Sequence, residues 1–235
     1  MKSSVFVIVI LAFSFAAVSA FGQQTIFNIP STDVLDRGQV YGELDVSFKT
    51  NCEASVCRFS SFVPRLVAGA GHNIEIGLNV TGNIQPGADT TTLVPAFKWR
   101  PYHNSDKGWA IVAGDHVFIP VKNKSYNIGN YVYVEVSKSF KHGTRLTAGG
   151  YDFTKNVVAG ANRAGGQFGF EQPVNKYLNI NADWITGRHA AGYFTPGVAV
   201  KPHPKVTIYA GYSIGNADAA RGNHFFLVEF GYNFK

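Results

Sequence analysis

Along most of this chain, bulky apolar residues recur at every second position. The run from Ile74 to Thr81 is the cleanest: Ile74, Ile76, Leu78 and Val80 alternate with Glu75, Gly77, Asn79 and Thr81. The final run, His224 to Phe234, sets Phe226, Val228, Phe230, Tyr232 and Phe234 against the polar or small Glu229, Gly231 and Asn233. A period of two sends successive side chains to opposite faces, so each run reads as a β-strand with one dry face and one mixed face.

The same pattern predicts strands over Gln39–Thr50, Phe59–Ala70, Ile74–Thr81, Thr91–Tyr102, Trp109–Ile119, a sixth after the loop Pro120–Asn130, then Thr144–Phe153, Gly165–Gln172, Tyr177–Thr186, Tyr193–Lys201, Lys205–Ser213 and His224–Phe234. In the fifth, Asp115 and His116 break any single phase, and a bulge is expected there. The fold class expected is all-β: one antiparallel up-and-down barrel of about twelve strands, with about ten as the alternative count. Strands near ten residues long cross a bilayer at a tilt. Connections after odd strands are mostly long and rich in Gly, Asn and Ser, and those after even strands are mostly tight turns. A transmembrane barrel with long outer loops and short periplasmic turns sorts its connections this way, and a soluble sandwich has no reason to.

The closing strand, aromatic-rich and ending Phe234-Lys235, resembles the C-terminal strand by which Gram-negative outer-membrane β-barrels are recognised and inserted. The run from Ile29 to Gly38 resembles the opening of several outer-membrane barrel families. The resemblance implies an outer-membrane address, outer-membrane lipid around the barrel, contact of the last strand with the barrel-assembly machinery, and a porin-like channel class. At the other end, Lys2, an apolar run from Val5 to Val18 and the small residues Ser19 and Ala20 describe a signal peptide, with cleavage expected after Ala20. The expected organisation is therefore a signal peptide over residues 1–20, an extended periplasmic lead-in over 21–38 and a transmembrane barrel over 39–235.

The formal net charge of +6 is spread along the 235 residues without a Lys/Arg run, so nucleic acid is not an expected partner. Cys52 and Cys57 are the only cysteines. In an exported chain they are expected to staple their loop as a disulfide rather than hold a metal, which would need further ligands nearby.

Candidate chemistry lies on the polar face. The phasing places Glu43, Asp45, Arg65, Glu75, Lys98, Arg100, Glu135, Arg145, Glu171, Asp183 and Glu229 in the lumen. The leading expectation is a narrow passive channel for small polar solutes, with Arg65, Lys98, Arg100 and Arg145 drawing anions and the carboxylates opposing them. The bland alternative is a non-conducting structural or surface-interaction barrel, whose interior satisfies its own charges and whose outer loops, including the Cys52–Cys57 loop, contact a partner. His72, His103, His142 and His203 fall in separate turns, too far apart for one metal site. A barrel lipid hydrolase is a further alternative, with His116, His189 and His224 towards the outer side and Ser125 and Ser213 within reach. No Gly-x-Ser-x-Gly elbow accompanies them, and no catalytic residue is assigned. The glycine pairs Gly149-Gly150 and Gly165-Gly166 lack a following helix and do not suggest a nucleotide, and no cofactor or metal is expected.

Overall fold

The structure, a computed structural model, describes residues 25–52, 58–81, 91–122, 128–158, 162–217 and 224–234. Twelve strands alternate in direction along the chain: β1 (Val40–Lys49), β2 (Phe59–Gly71), β3 (Ile74–Thr81), β4 (Thr91–Asn104), β5 (Trp109–Lys122), β6 (Gly129–Ser139), β7 (Arg145–Phe153), β8 (Ala164–Pro173), β9 (Leu178–Ile185), β10 (Tyr193–His203), β11 (Val206–Gly215) and β12 (Phe225–Asn233). Each pairs antiparallel with its sequence neighbours, and β1 pairs with β12 to close the barrel. Closure leaves no unpaired sheet edge, which is the only way a sheet can stand in hydrocarbon.

The two faces sort as the alternation predicts. Leu66 is 53% exposed, Ile76 52% and Val134 53%, all pointing outward, whereas Glu75, Glu135 and Glu229 on the inner face are at most 1% exposed. Water would penalise so many exposed apolar side chains, and lipid does not. Aromatic residues gather at both rims. Phe48 stacks on Phe226 near the loop ends, with Tyr212 against Phe226. At the turn ends Tyr232 packs edge-on against Phe234, and Lys138 lies 5.0 Å over the Trp109 ring. Such amphipathic girdles belong at a membrane interface.

The phase break in β5 has a different cause from the bulge expected at Asp115 and His116. The β5–β6 register runs without interruption from Trp109↔Lys138 to Phe118↔Gly129. His116 faces inward, edge-on to Tyr131 and Tyr133. Asp115 therefore faces outward, opposite Val132 on one side and Phe97 on the other. The register of the β4–β5 pair shifts elsewhere: an extra β4 residue lies between Trp99↔Ala113 and Tyr102↔Ile111, and an extra β5 residue, Val121, lies between Thr92↔Pro120 and Thr91↔Lys122.

The lead-in is not extended away from the barrel. Residues 25–36 enter the lumen: Ile26, Ile29 and Ser31 are completely buried and Thr32 is 2% exposed. Ile26, Phe27, Ile29 and Val34 form one apolar cluster with inward residues such as Val112, Tyr131, Tyr133 and Tyr151. Nothing in a two-residue period marks such a segment; what seats it is missing side chains on the wall. A Cβ on Gly169 would come within 2.3 Å of Ile26, and one on Gly197 within 2.6 Å of Phe27. Where the segment leaves for β1, a Cβ on Gly69 would lie 2.0 Å from the Asp36 carbonyl oxygen. Cys57 lies outside the described residues, so the Cys52–Cys57 disulfide stays an expectation, as does the signal peptide over 1–20.

Candidate functional site

The lumen is built by alternation. Every second residue of a strand faces inward, so charges in register on neighbouring strands meet across a distance of one strand. Of the eleven lumen charges expected from the sequence, eight gather in three groups around the N-terminal segment; Glu135, Asp183 and Arg100 lie apart from them.

The first group joins β12, β1 and β2. Arg65 lies opposite Glu43, and its Nη1 is 2.5 Å from Glu43 Oε1 while Nη2 is 3.0 Å from Asp45 Oδ2. Arg65 Nη1 also donates to Thr25 Oγ1 at 3.0 Å. Glu43 Oε2 accepts from the Tyr41 hydroxyl at 2.5 Å, so both its oxygens are used. Glu229 lies directly opposite Asp45 on β12. The second group ties β3 and β4 to the segment. Lys98 Nζ is 3.0 Å from Glu75 Oε1, and Glu75 Oε2 accepts from the Leu35 N–H at 3.0 Å. The third group lies on β7 and β8. Arg145 makes two bonds to Glu171, at 2.5 and 2.7 Å, and a third to Asp33 of the segment at 2.7 Å. Burial alone would raise the Asp33 carboxyl, but the charge and hydrogen bond of Arg145, with Lys98 and Arg100, outweigh it and hold it below its ordinary value.

Asp183 has a different role from the selectivity charge expected of it. Its Oδ2 accepts the backbone N–H of Phe27, Asn28 and Ile29 at 3.0, 2.5 and 2.9 Å, and its Oδ1 accepts from Asn28 Nδ2 at 3.1 Å. One carboxylate thus gathers three consecutive amides, the arrangement in which a turn of backbone binds an anion. Asn28 Nδ2 also donates to Thr195 Oγ1 at 2.7 Å. Deeper in the wall, Glu135 accepts from Gln167 Nε2 at 2.6 Å, and Gln167 accepts from the Tyr131 hydroxyl at 2.5 Å. Arg100 stays near the turn rim, bonded to Asn73 Oδ1 at 3.2 Å.

The segment leaves two spaces. A cavity of about 290 Å³ on the loop side is lined by Asp45, Arg65, Asn79, Glu229 and several aromatic rings. A second, of about 130 Å³ on the turn side, is lined by Thr32, Asp33, Arg100, His103 and Arg145 among others.

The histidines considered for hydrolysis have other partners. His189 is fully buried, its Nε2 is 2.7 Å from the Tyr151 hydroxyl and its Nδ1 accepts from the Ala191 N–H. Burial lowers its pKa below the ordinary imidazole value. His224 Nδ1 accepts from the Gly215 N–H, and Ser213 pairs with Thr195 at 2.9 Å. Ser125 lies outside the described residues. His72, His103, His142 and His203 occupy separate turn-side positions, as expected.

The residues missed by sequence reasoning are those that hold the segment: Asn28 and Asp33 on it, Thr195 on the wall, and Tyr131 packed against it. The signal that could have exposed them is the inward glycines. Gly169, Gly197 and Gly211 leave a gap in the lumen wall that an empty pore does not need and a docked segment does.

A closed sheet with an apolar, aromatic-rimmed exterior and a charged interior defines the chain as an outer-membrane β-barrel. Among solved structures it is similar to an outer membrane channel from Pseudomonas putida F1, at 12% identity over 86% of this chain and 97% of that one with a TM-score of 0.49. It is also similar to the outer membrane phospholipase A of Escherichia coli, at 12% identity over 86% of this chain and 94% of that one with a TM-score of 0.46. No family model and no curated protein matches the sequence.

Proposed function

We propose that the barrel is a narrow passive channel for small polar solutes, and that its N-terminal segment is the constriction. The observation that supports this reading is the pair of cavities, about 290 and 130 Å³ and each lined by charged side chains, on opposite sides of a segment only one chain thick. A solute would need the segment to shift, not the wall. The segment is held by hydrogen bonds and ion pairs, which can be exchanged for water, as well as by Ile26, Phe27 and Ile29. In this role Arg65, Lys98 and Arg145 are already matched by carboxylates, so selectivity belongs to the other charged groups that line the two cavities, Glu229 on the loop side and Arg100 on the turn side.

Conductance of the refolded barrel in a planar bilayer tests this, with Asp183→Ala beside the natural chain. The substitution leaves three segment N–H groups without their acceptor, at roughly 1–3 kcal/mol for each such group. Rare, small steps in the natural chain and frequent, larger steps in Asp183→Ala are expected. Silence from both, in barrels shown to be folded, would sink the channel reading. It would favour a second one, a non-conducting structural barrel, for which the complete burial of Ile26, Ile29 and Ser31 speaks.

A further inference from the structure

The loop-side cavity has an imbalance that the channel reading does not use. Among the described residues, Asp45 Oδ1, Glu229 Oε2 and Asn79 Oδ1 are buried without a hydrogen-bond partner, and all line this one space. Glu229 is 1% exposed and Asn79 5%. Asp45 and Glu229 lie directly opposite each other across β1 and β12, and with Glu43 they bring carboxylate oxygens within 4.8 Å of one another. Like charges in facing positions are destabilising. Arg65 is the cation among them, and it is committed to Glu43 and to the other oxygen of Asp45. Among the described residues, its Nε is the single buried donor without a partner that lines the space. Burial of unpaired acceptors costs free energy that a donor in the cavity would recover.

We infer that the loop-side cavity is a binding site for a primary ammonium group, received by Asp45, Glu229 and Asn79. An ammonium carries three N–H donors and one positive charge, which matches three orphan acceptors and an excess of carboxylate. The remaining wall suits the carbon that carries it. Phe27, Phe118, Tyr131, Phe153, Tyr193 and Phe225 line the same space, and aromatic faces attract cations and pack against alkyl chains. A volume of about 290 Å³ is far larger than a bare metal ion needs and accommodates a small organic molecule.

Two sources can supply the group. One is a free solute, a small alkyl- or diammonium, in which case the inference deepens the channel reading by naming its solute class. The other is the chain itself. Removal of residues 1–20 would create an α-ammonium on Phe21, four residues before Thr25, whose hydroxyl already bonds Arg65 at the cavity wall. Four residues span at most roughly 14 Å.

Titration calorimetry of the folded barrel, started at residue 21, with butylammonium, putrescine and calcium chloride separates the outcomes, alongside Glu229→Gln. That substitution keeps the shape and removes a repulsion, so the variant is expected to fold. Binding of the organic ammonium that weakens at least tenfold in Glu229→Gln identifies a free solute. Absence of such binding, with an α-amino group that resists acylation in the natural chain and reacts in Glu229→Gln, identifies the chain's own terminus. Heat from calcium alone, ammonium binding unchanged in the variant, or no binding together with equal α-amino reactivity in both proteins would each overturn the inference. The measurement is separate from conductance: a silent barrel that binds ammonium loses the channel reading and keeps this site.

Discussion

Asp115 carries a carboxylate on the lipid side of β5, where the alternation should place an apolar residue. Its Oδ2 accepts from Asn130 Nδ2 at 3.2 Å, and its Oδ1 is buried without a partner. The neighbouring His116 takes the inward position against two tyrosine rings. Two polar residues in succession give a period-two reading no way to choose a phase, which is why this strand resisted the pattern while Glu75, Glu135 and Glu229 were assigned inward from apolar neighbours alone. A charge facing lipid costs stability in a depth-dependent way, less for acids than for bases. Asp115→Asn keeps an oxygen for Asn130 and removes the charge. It is expected to stabilise the barrel by about 1 kcal/mol, read as a higher urea midpoint for unfolding from lipid vesicles. An unchanged or lower midpoint would mean that the carboxylate has a favourable partner at the surface.

At the scale of elements, the strands were legible and the segment was not, for one physical reason. A strand's environment repeats every two residues, so its sequence must repeat too. Residues 25–36 meet a different patch of wall at each position: Ile26 faces Gly169, Phe27 faces Gly197, Leu35 bonds Glu75 and Asp33 bonds Arg145. Such a path leaves no periodic trace. The Lys98–Glu75 pair shows how the segment and the wall depend on each other. Lys98 is 2% exposed and Glu75 1%; Glu75 holds the Leu35 N–H, and Lys98 Nζ donates to the Ser31 carbonyl at 3.4 Å. Lys98→Met leaves a buried carboxylate without its cation, at a cost of about 3–5 kcal/mol. Adding Glu75→Gln should restore most of the loss, because removal of both charges from a buried pair is often close to neutral. Equilibrium unfolding of the single and double variants checks this; a double variant as unstable as Lys98→Met would place the loss in packing rather than in charge.

For the whole molecule, the segment makes the barrel two bodies, a wall and a plug, joined by contacts of different chemistry. The Arg145–Asp33 contact is one that acid can break. Asp33 titrates below its ordinary value because Arg145, Lys98 and Arg100 favour its charged form over the effect of burial, while Arg145 stays tied to Glu171 on the wall. A carboxyl whose folded pKa is depressed contributes stability that is fully present above its unfolded value, about 3.9, and lost as pH falls through the lower folded value. Between pH 8 and 5 this contact therefore holds the plug with constant strength. Below about pH 4 the plug should loosen before the wall does, since the strand ladder does not depend on Asp33. Hydrogen exchange over residues 25–36 reads this directly and needs no conductance. The contribution of Asp33, read as the difference in segment protection between the natural chain and Asp33→Asn, is expected to be level from pH 8 to 5 and to vanish at lower pH while protection of β6 and β7 persists. In Asp33→Asn, protection should already be lower at pH 7 and its fall in acid should be much reduced. Loss of that difference between pH 7 and 5 would assign the coupling to another group. Simultaneous loss in segment and strands would show that plug and wall unfold as one body.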